Sequence, residues 1–154
     1  MENVTAHYGP DPVRILVVDD DPADRKLIKT AFRMKIPSCE VNSVKCGEEG
    51  LEYIGMKTRR TSDVSWPDLI LLDLNMPGID GFEFLKRMKN DERFSEIPII
   101  VMTSSCEEKD VRQSYRLRSN AYITKPSGLE GYYEIVEKIE DFWFSACKLP
   151  NKCI

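Results

Sequence analysis

Short aliphatic runs alternate along the chain with segments whose apolar residues recur at helical spacing. Two of the runs, residues 14–18 and 68–72, consist almost entirely of branched aliphatic side chains. Runs of this kind are typical of strands buried on both faces of a parallel sheet. A helical stripe of Leu27, Ile28 and Ala31 follows the first run. The alternation predicts an α/β fold with a doubly wound, five-stranded parallel sheet.

The same pattern predicts where the elements begin and end. We expect strands at residues 14–18, 41–44, 68–72, 97–102 and 120–124. Polar residues that favour helix starts precede the helical stripes, and those predicted as N-caps are Asp21, Asp80, Ser105 and Ser127. Asp21 is followed by proline, and each of the others by glutamate three residues later, as in a capping box.

Composition limits the class of protein further. The 154 residues, 42% hydrophobic and 31% charged, suit one globular domain. No apolar run approaches the roughly 18 residues that a membrane span needs, and residues 1–11 lack the apolar stretch of a signal peptide. A net charge of −4 argues against a general nucleic-acid surface. Five cysteines without zinc-site spacing indicate a reduced, cytoplasmic setting.

Chemically capable side chains stand at the carboxyl ends of four predicted strands. Asp19, Asp20 and Asp21 follow the first strand, Asp73 follows the third, and Thr103 and Lys125 follow the fourth and fifth. Ligands of open parallel sheets bind beyond the carboxyl ends of the strands. We therefore expect carboxylates, a hydroxyl and an ammonium to converge there.

Such a group of residues favours phosphoryl chemistry. Crowded carboxylates repel one another, and Mg²⁺, which prefers oxygen ligands, relieves that repulsion. A carboxylate can also attack phosphorus to form an aspartyl phosphate, whose oxygens the metal, ammonium and hydroxyl would neutralise. Taken singly, each residue has a structural interpretation: Asp21 as a helix cap, Asp73 as a loop residue, Lys125 as a surface lysine. The coincidence at four strand ends favours the functional interpretation.

Four segments resemble the receiver domain of two-component response regulators: Ile15–Pro22, Pro67–Gly78, Ile99–Ser104 and Tyr122–Pro126. The resemblance spans about residues 13–145 and implies a flavodoxin-like fold. We accordingly expect a flexible N-terminal segment over 1–12, a receiver domain over 13–145 and a C-terminal tail over 146–154.

The resemblance also implies roles for individual residues. Asp73 would be the phosphoacceptor, and Thr103 and Lys125 would hold the phosphoryl oxygens. Tyr122 would be an aromatic switch that moves inward when Thr103 turns toward the phosphate. The Lys125–Pro126 peptide bond would be cis.

A Mg²⁺ site is implied by the same resemblance. Its ligands would be the carboxylates of Asp19, Asp20 and Asp73 and the backbone carbonyl of Asn75. Within the acidic pair, Asp20 would be the more direct ligand. No residue of the family's motifs is missing from this sequence.

The implied function is phosphorelay signal transduction in a two-component system. The domain would accept a phosphoryl group from a sensor histidine kinase, catalysing its own phosphorylation and dephosphorylation without being an enzyme for a free substrate. Residues 120–129 and 134–145, with the loop from Lys57 to Trp66, resemble stand-alone regulators paired with phytochromes. This narrower resemblance implies a light-sensing kinase as the phosphodonor.

Only about a dozen residues follow Trp143, too few for an output domain, so we expect the output to be a protein interaction. The aromatic residues at 142–144 exceed what one helix face can bury in the core. An exposed aromatic patch usually marks a partner site. We expect a homodimer through the fourth helix, fifth strand and fifth helix, and neither a nucleic-acid nor a membrane partner.

Two alternatives remain open at this point. A phosphatase of the haloacid dehalogenase type uses the same functional groups, and Asp19 and Asp21 have its spacing. Against it, Ala23 stands where that class has threonine, and neither a late acidic pair nor a cap domain is visible. The other alternative is an interaction module that is never phosphorylated, which usually lacks one of the site residues.

Overall fold

The computed structural model describes residues 11–56 and 66–150, in which five strands alternate with five α-helices. The strands are Arg14–Val18 (β1), Glu40–Val44 (β2), Leu69–Leu72 (β3), Ile99–Thr103 (β4) and Ala121–Thr124 (β5). The helices are Pro22–Lys35 (α1), Gly47–Met56 (α2), Gly81–Asn90 (α3), Glu108–Arg116 (α4) and Gly128–Ile139 (α5). Most of the predicted N-terminal segment and of the predicted loop from Lys57 to Trp66 lie outside the described residues.

The sheet is parallel with strand order β2-β1-β3-β4-β5, so the predicted doubly wound, flavodoxin-like fold is confirmed. Val18 at the end of β1 lies opposite both Val44 of β2 and Leu72 of β3. The carboxyl ends of these three strands are therefore level. Residues that follow β1 and β3 emerge side by side at one edge of the sheet.

Each face of the sheet is covered by a separate apolar core. Ile15 and Val17 point into a core formed with α1 and α5, whereas Leu16 and Val18 point into a core formed with α2 and α3. This alternation follows from the two-residue period of a strand. Burying an aliphatic side chain of this size contributes roughly 1.5–3 kcal/mol, so the central strands form a rigid base for the loops above them.

The two aspartate caps are confirmed. Asp21 Oδ1 accepts a hydrogen bond from the Ala23 amide at 2.8 Å. Asp80 Oδ1 accepts one from the Glu83 amide at 2.9 Å. Each bond satisfies a backbone donor that the first helical turn leaves free.

One serine cap is wrong and the other is confirmed in position only. Helix α4 starts after Glu107, two residues beyond Ser105, and the Glu107 side chain makes no capping bond. The Ser105 hydroxyl donates to Asp110 Oδ2 at 2.6 Å and accepts from the Glu107 amide at 3.3 Å, so it serves the loop before the helix. Ser127 stands at the N-cap of α5 as predicted, but its side chain accepts no capping hydrogen bond.

After α5 the chain continues into a π-helical segment, Glu140–Ala146. Phe144 within it and Leu149 beyond it are buried in the core beneath α1 and α5. Phe142 is 56% exposed, and its ring meets Trp143 edge to face at 5.3 Å. Within its described part, residues 146–150, the predicted tail thus contains one buried residue, Leu149, and the division of the chain into segments stays a prediction. None of the described helices has the length and apolar character needed to cross a membrane.

Candidate functional site

The acids predicted at the ends of β1 and β3 meet in the structure. One carboxylate oxygen from each of Asp19, Asp20 and Asp73 lies within 4.8 Å of the others. Asp19 and Asp73 are buried, whereas Asp20 is exposed at the rim. The level register of β1 and β3 explains the meeting, since Asp19 and Asp73 directly follow the last residues of their strands and Asp20 is one residue farther on.

Lys125, which follows β5, reaches into this acidic cluster. Its Nζ lies 2.9 Å from Asp19 Oδ2 and 3.3 Å from Asp73 Oδ2, and only 10% of the side chain is exposed. A third carboxylate, Asp24 Oδ2, lies nearer still at 2.7 Å. Sequence reasoning missed Asp24, although an acid in the first turn of the helix after an acidic run was a usable signal.

Burial and charge act in opposite directions on these groups. Burial by itself lowers the pKa of Lys125, but hydrogen bonds to Asp24 and Asp19 outweigh it and raise that pKa above its ordinary value. Burial raises the pKa of Asp19 to about 6, although the Asp21 amide and Lys125 both oppose the shift. Four carboxylates surround one ammonium, so the site carries excess negative charge.

The loop between β3 and α3 is held against the acidic cluster. The Asn75 amide lies 3.5 Å from Asp73 Oδ1, and the Asn75 side chain is exposed. Farther along the loop, the Ile79 amide donates to Glu48 Oε1 of α2 at 2.8 Å. A side chain at Gly81 would collide with the Asp73 carbonyl oxygen, so glycine is required for this close approach.

Thr103 and Tyr122 lie around the loop that follows β4. Thr103 is fully buried, and its hydroxyl lies 3.4 Å from the Ser105 amide. Tyr122 Oη donates to the Ser105 carbonyl at 2.8 Å. Both side chains therefore contact the same residue, Ser105, which belongs to that loop.

The Lys125 amide donates to the Thr103 carbonyl at 2.7 Å, which fixes the start of the loop after β5. The predicted cis peptide at Lys125–Pro126 is wrong, because no peptide bond in the described part of the chain is cis. The trans isomer is favoured by about 0.5–1 kcal/mol at such bonds.

The donor set fits a hard divalent cation. Three carboxylates offer oxygens close enough together to share one ion, and oxygen is the ligand that Mg²⁺ prefers. Among the described residues Lys125 forms ion pairs with Asp19, Asp24 and Asp73 and not with Asp20, so the exposed Asp20 carboxylate is available to an ion. A cation there would offset the excess negative charge.

Comparison with known proteins identifies the class. Residues 15–138 match the family model of the response regulator receiver domain, and the chain belongs to that family. Membership of the receiver-domain family argues against the alternative of a haloacid dehalogenase-type phosphatase. Response regulator Rcp1 of Synechocystis sp. is 34% identical over 139 residues, covering 90% of this chain and 94% of the relative. The probable methanogenesis regulatory protein FilR2 of Methanothrix harundinacea is 33% identical over 141 residues, covering 92% and 90%.

Solved structures of relatives have the same fold. The phosphorylated cyanobacterial phytochrome response regulator RcpA is 40% identical, with a TM-score of 0.81 over 90% of this chain and 99% of that one. The Mn²⁺-bound form of Rcp1 is 34% identical, with a TM-score of 0.78 over 90% and 99%. Receiver domains bind Mg²⁺ or Mn²⁺ in an acidic pocket, and the aspartate cluster of this chain fits that property.

Proposed function

We propose that this protein is a single-domain response regulator that accepts a phosphoryl group from a sensor histidine kinase onto Asp73 in a Mg²⁺-dependent reaction. One observation carries the proposal. The Asp73 residue is 6% exposed, and its carboxylate lies close both to the acids that follow β1 and to the ammonium of Lys125. It is thus a nucleophile within reach of a positive charge and of a cation site.

The groups around Asp73 suit phosphoryl transfer. A carboxylate oxygen of Asp73 forms the new O–P bond while the bond from phosphorus to the donor's imidazole nitrogen breaks, and the electron pair leaves with that nitrogen. Lys125 is close enough to contact the oxygens of a phosphoryl group on Asp73, since its Nζ lies 3.3 Å from Asp73 Oδ2. Bound Mg²⁺ would neutralise charge on those oxygens, held by Asp19, Asp20, Asp73 and the Asn75 carbonyl.

The switch is proposed to act through the loop after β4. Thr103 would exchange its contact with the Ser105 amide for one with a phosphoryl oxygen. Because Tyr122 donates to the carbonyl of that same Ser105, a movement of the loop changes the position of the tyrosine. Phosphorylation then shifts an existing equilibrium between two loop positions.

We infer that the phosphodonor is a phytochrome-type kinase and that the protein acts in the cytoplasm. RcpA and Rcp1, which support the first inference, align over nearly their whole length. FilR2 has a similar identity and a different named role, so the inference rests on the two cyanobacterial regulators and on the segments 120–129 and 134–145. The four cysteines within the described residues are free thiols, as a reducing compartment requires.

The output is proposed to be a homodimer through α4, β5 and α5. Tyr115 on α4 is 51% exposed and Phe142 beyond α5 is 56% exposed, so two large aromatic side chains face solvent. Two basic residues of α4 already have partners and do not need new ones across such an interface. Lys109 is paired with Glu107 and Arg112 with Glu108 inside the same chain.

Labelling with acetyl phosphate tests the proposal. With Mg²⁺, the wild type should gain one phosphoryl group by intact mass, and Asp73→Asn should gain none. Asp91→Asn is the matched control, because it makes the same change at a side chain paired with Arg93, away from the site, and should label normally. Equal labelling of wild type and Asp73→Asn would reject Asp73 as acceptor. In the same samples, a dimeric solution mass with beryllofluoride supports the homodimer. A monomeric mass under the same conditions rejects the homodimer and leaves the phosphoacceptor proposal standing.

A further inference from the structure

The shortest ion pair of Lys125 is with a residue outside the four predicted strand ends. Its Nζ lies 2.7 Å from Asp24 Oδ2, compared with 2.9 Å for Asp19 and 3.3 Å for Asp73. The other oxygen, Asp24 Oδ1, lies 3.3 Å from the hydroxyl of Tyr132 on α5. Both oxygens of Asp24 are thus engaged by side chains from other parts of the fold.

An acid in the first turn of a helix also has a simpler explanation, because it interacts favourably with the helix dipole. An interaction with the helix dipole does not require contact with a lysine 101 residues away along the chain. Here the first turn of α1 is tied to the site twice. Asp24 binds Lys125, and its neighbour Arg25 donates to the Asp19 carbonyl at 2.7 Å. The contacts therefore indicate a role toward the site.

We propose that Asp24 is a positioning residue for Lys125, a third counter-ion that draws the ammonium partly away from Asp19 and Asp73. The proposal rests on the proposed function, since it concerns the same lysine and the same cation site. An ammonium has three donors and distributes them among the strongest acceptors within reach. By taking one of these donors, Asp24 leaves Asp19 and Asp73 more negative, and therefore better able to bind a divalent cation.

The consequence is that Asp24 controls how strongly the Lys125 ammonium competes with a divalent cation for Asp19 and Asp73. Without its charge, the ammonium of Lys125 would be shared between Asp19 and Asp73 alone and would compete more strongly with the cation for them. The ammonium would then oppose binding of the ion that the reaction needs. Tyr132, which is 2% exposed, contacts Asp24 from α5 and helps to fix its carboxylate beside Lys125.

A double-mutant cycle between Asp24 and Lys125 tests the proposal, with Mg²⁺ binding followed by the amide NMR signals of Asp20 and Asn75. We expect Asp24→Asn to weaken Mg²⁺ binding about tenfold when Lys125 is present. In the Lys125→Met background the same change should cost only about twofold, which is the effect of one lost charge on its own. This coupling is a signature that a purely structural role of Asp24 would not produce.

Glu130→Gln is the control for loss of a charge, because Glu130 is exposed in the first turn of α5. It should weaken Mg²⁺ binding by no more than about twofold in both backgrounds. If Asp24→Asn does not fold, Asp24→Ser removes the same charge and enters the same cycle. Equal losses in the two Lys125 backgrounds would overturn the proposal. A wild type that bound no Mg²⁺ would instead overturn the proposed function, so the two failures are distinct.

Discussion

Two buried lysines occupy opposite ends of the sheet, and their surroundings differ in charge. Lys125, at the carboxyl ends of the strands, lies among the carboxylates of Asp19, Asp24 and Asp73. Lys89, at the last turn of α3, lies among neutral oxygens near the amino ends of β4 and β5. Its Nζ donates to the carbonyls of Ser95 at 3.2 Å and Ile97 at 3.0 Å, and to Asn120 Oδ1 at 3.0 Å.

The charge of the partners determines the direction of each pKa shift. Burial, with the nearby charge of Arg118, lowers the pKa of Lys89 to about 8. Burial also acts on Lys125, but its carboxylate partners raise the pKa above its ordinary value. Neutral oxygens accept the hydrogen bonds of an ammonium group but do not balance its positive charge. The Lys125 end of the sheet therefore carries an excess of negative charge that a bound cation can offset. At the Lys89 end, neutral oxygens already accept the hydrogen bonds of the ammonium, and no cation site is expected there.

The largest expected effect separates the two lysines by function. Substituting each by methionine removes the ammonium and keeps an unbranched chain of similar length. We expect Lys125→Met to lower the initial rate of labelling by acetyl phosphate about 10- to 100-fold, because a group that neutralises the transferred phosphoryl oxygens is lost. Lys89→Met should stay within about twofold of wild type, measured at a temperature where both variants are folded. Similar losses in the two variants would contradict the division of roles.

The next effect concerns stability and its response to Mg²⁺. We expect Lys89→Met to lower the free energy of unfolding by about 2–4 kcal/mol, since the buried oxygens around it lose a donor, and added Mg²⁺ should not restore the loss. Lys125→Met leaves carboxylates uncompensated, so Mg²⁺ should stabilise it more than the wild type. Urea unfolding with and without Mg²⁺ measures both. Equal increments from Mg²⁺ in the wild type and Lys125→Met would show that the ion does not replace the ammonium.

The carboxyl end of the sheet was largely predictable from sequence. Asp19, Asp73 and Lys125 directly follow predicted strands, and the carboxyl ends of parallel strands meet at one edge of a sheet. β1 lies at the predicted residues, Arg14–Val18. β4 begins two residues later than expected, at Ile99, because the run from Ile97 is interrupted by Pro98, which has no amide to give to the ladder.

The contacts that the sequence did not predict join distant residues. Asp24 meets Lys125 across 101 positions, and Lys89 meets Asn120 across 31. Local pattern carries no information about such pairs, and a lysine near a helix end is ordinarily exposed. The predicted cap at Ser105 is wrong because α4 begins two residues later, after Glu107, and Ser105 instead bonds Asp110 and the Glu107 amide. Periodicity predicts which face of a helix or strand is buried, but not which polar side chain a residue on that element will contact.

The smallest expected effect is a pH dependence specific to Lys89. Its pKa falls from 10.5 to about 8 on folding. Between these two values the unfolded chain binds more protons than the folded protein, so the contribution of Lys89 to stability rises as the pH rises. Lys89→Met lacks this contribution. The difference in unfolding free energy between wild type and Lys89→Met should therefore grow by about 1–2 kcal/mol between about pH 7.5 and pH 10. Urea unfolding of both proteins at several pH values within that range measures it. A constant difference would mean that the three oxygens keep Lys89 charged throughout, and that the two lysines differ in partners but not in protonation.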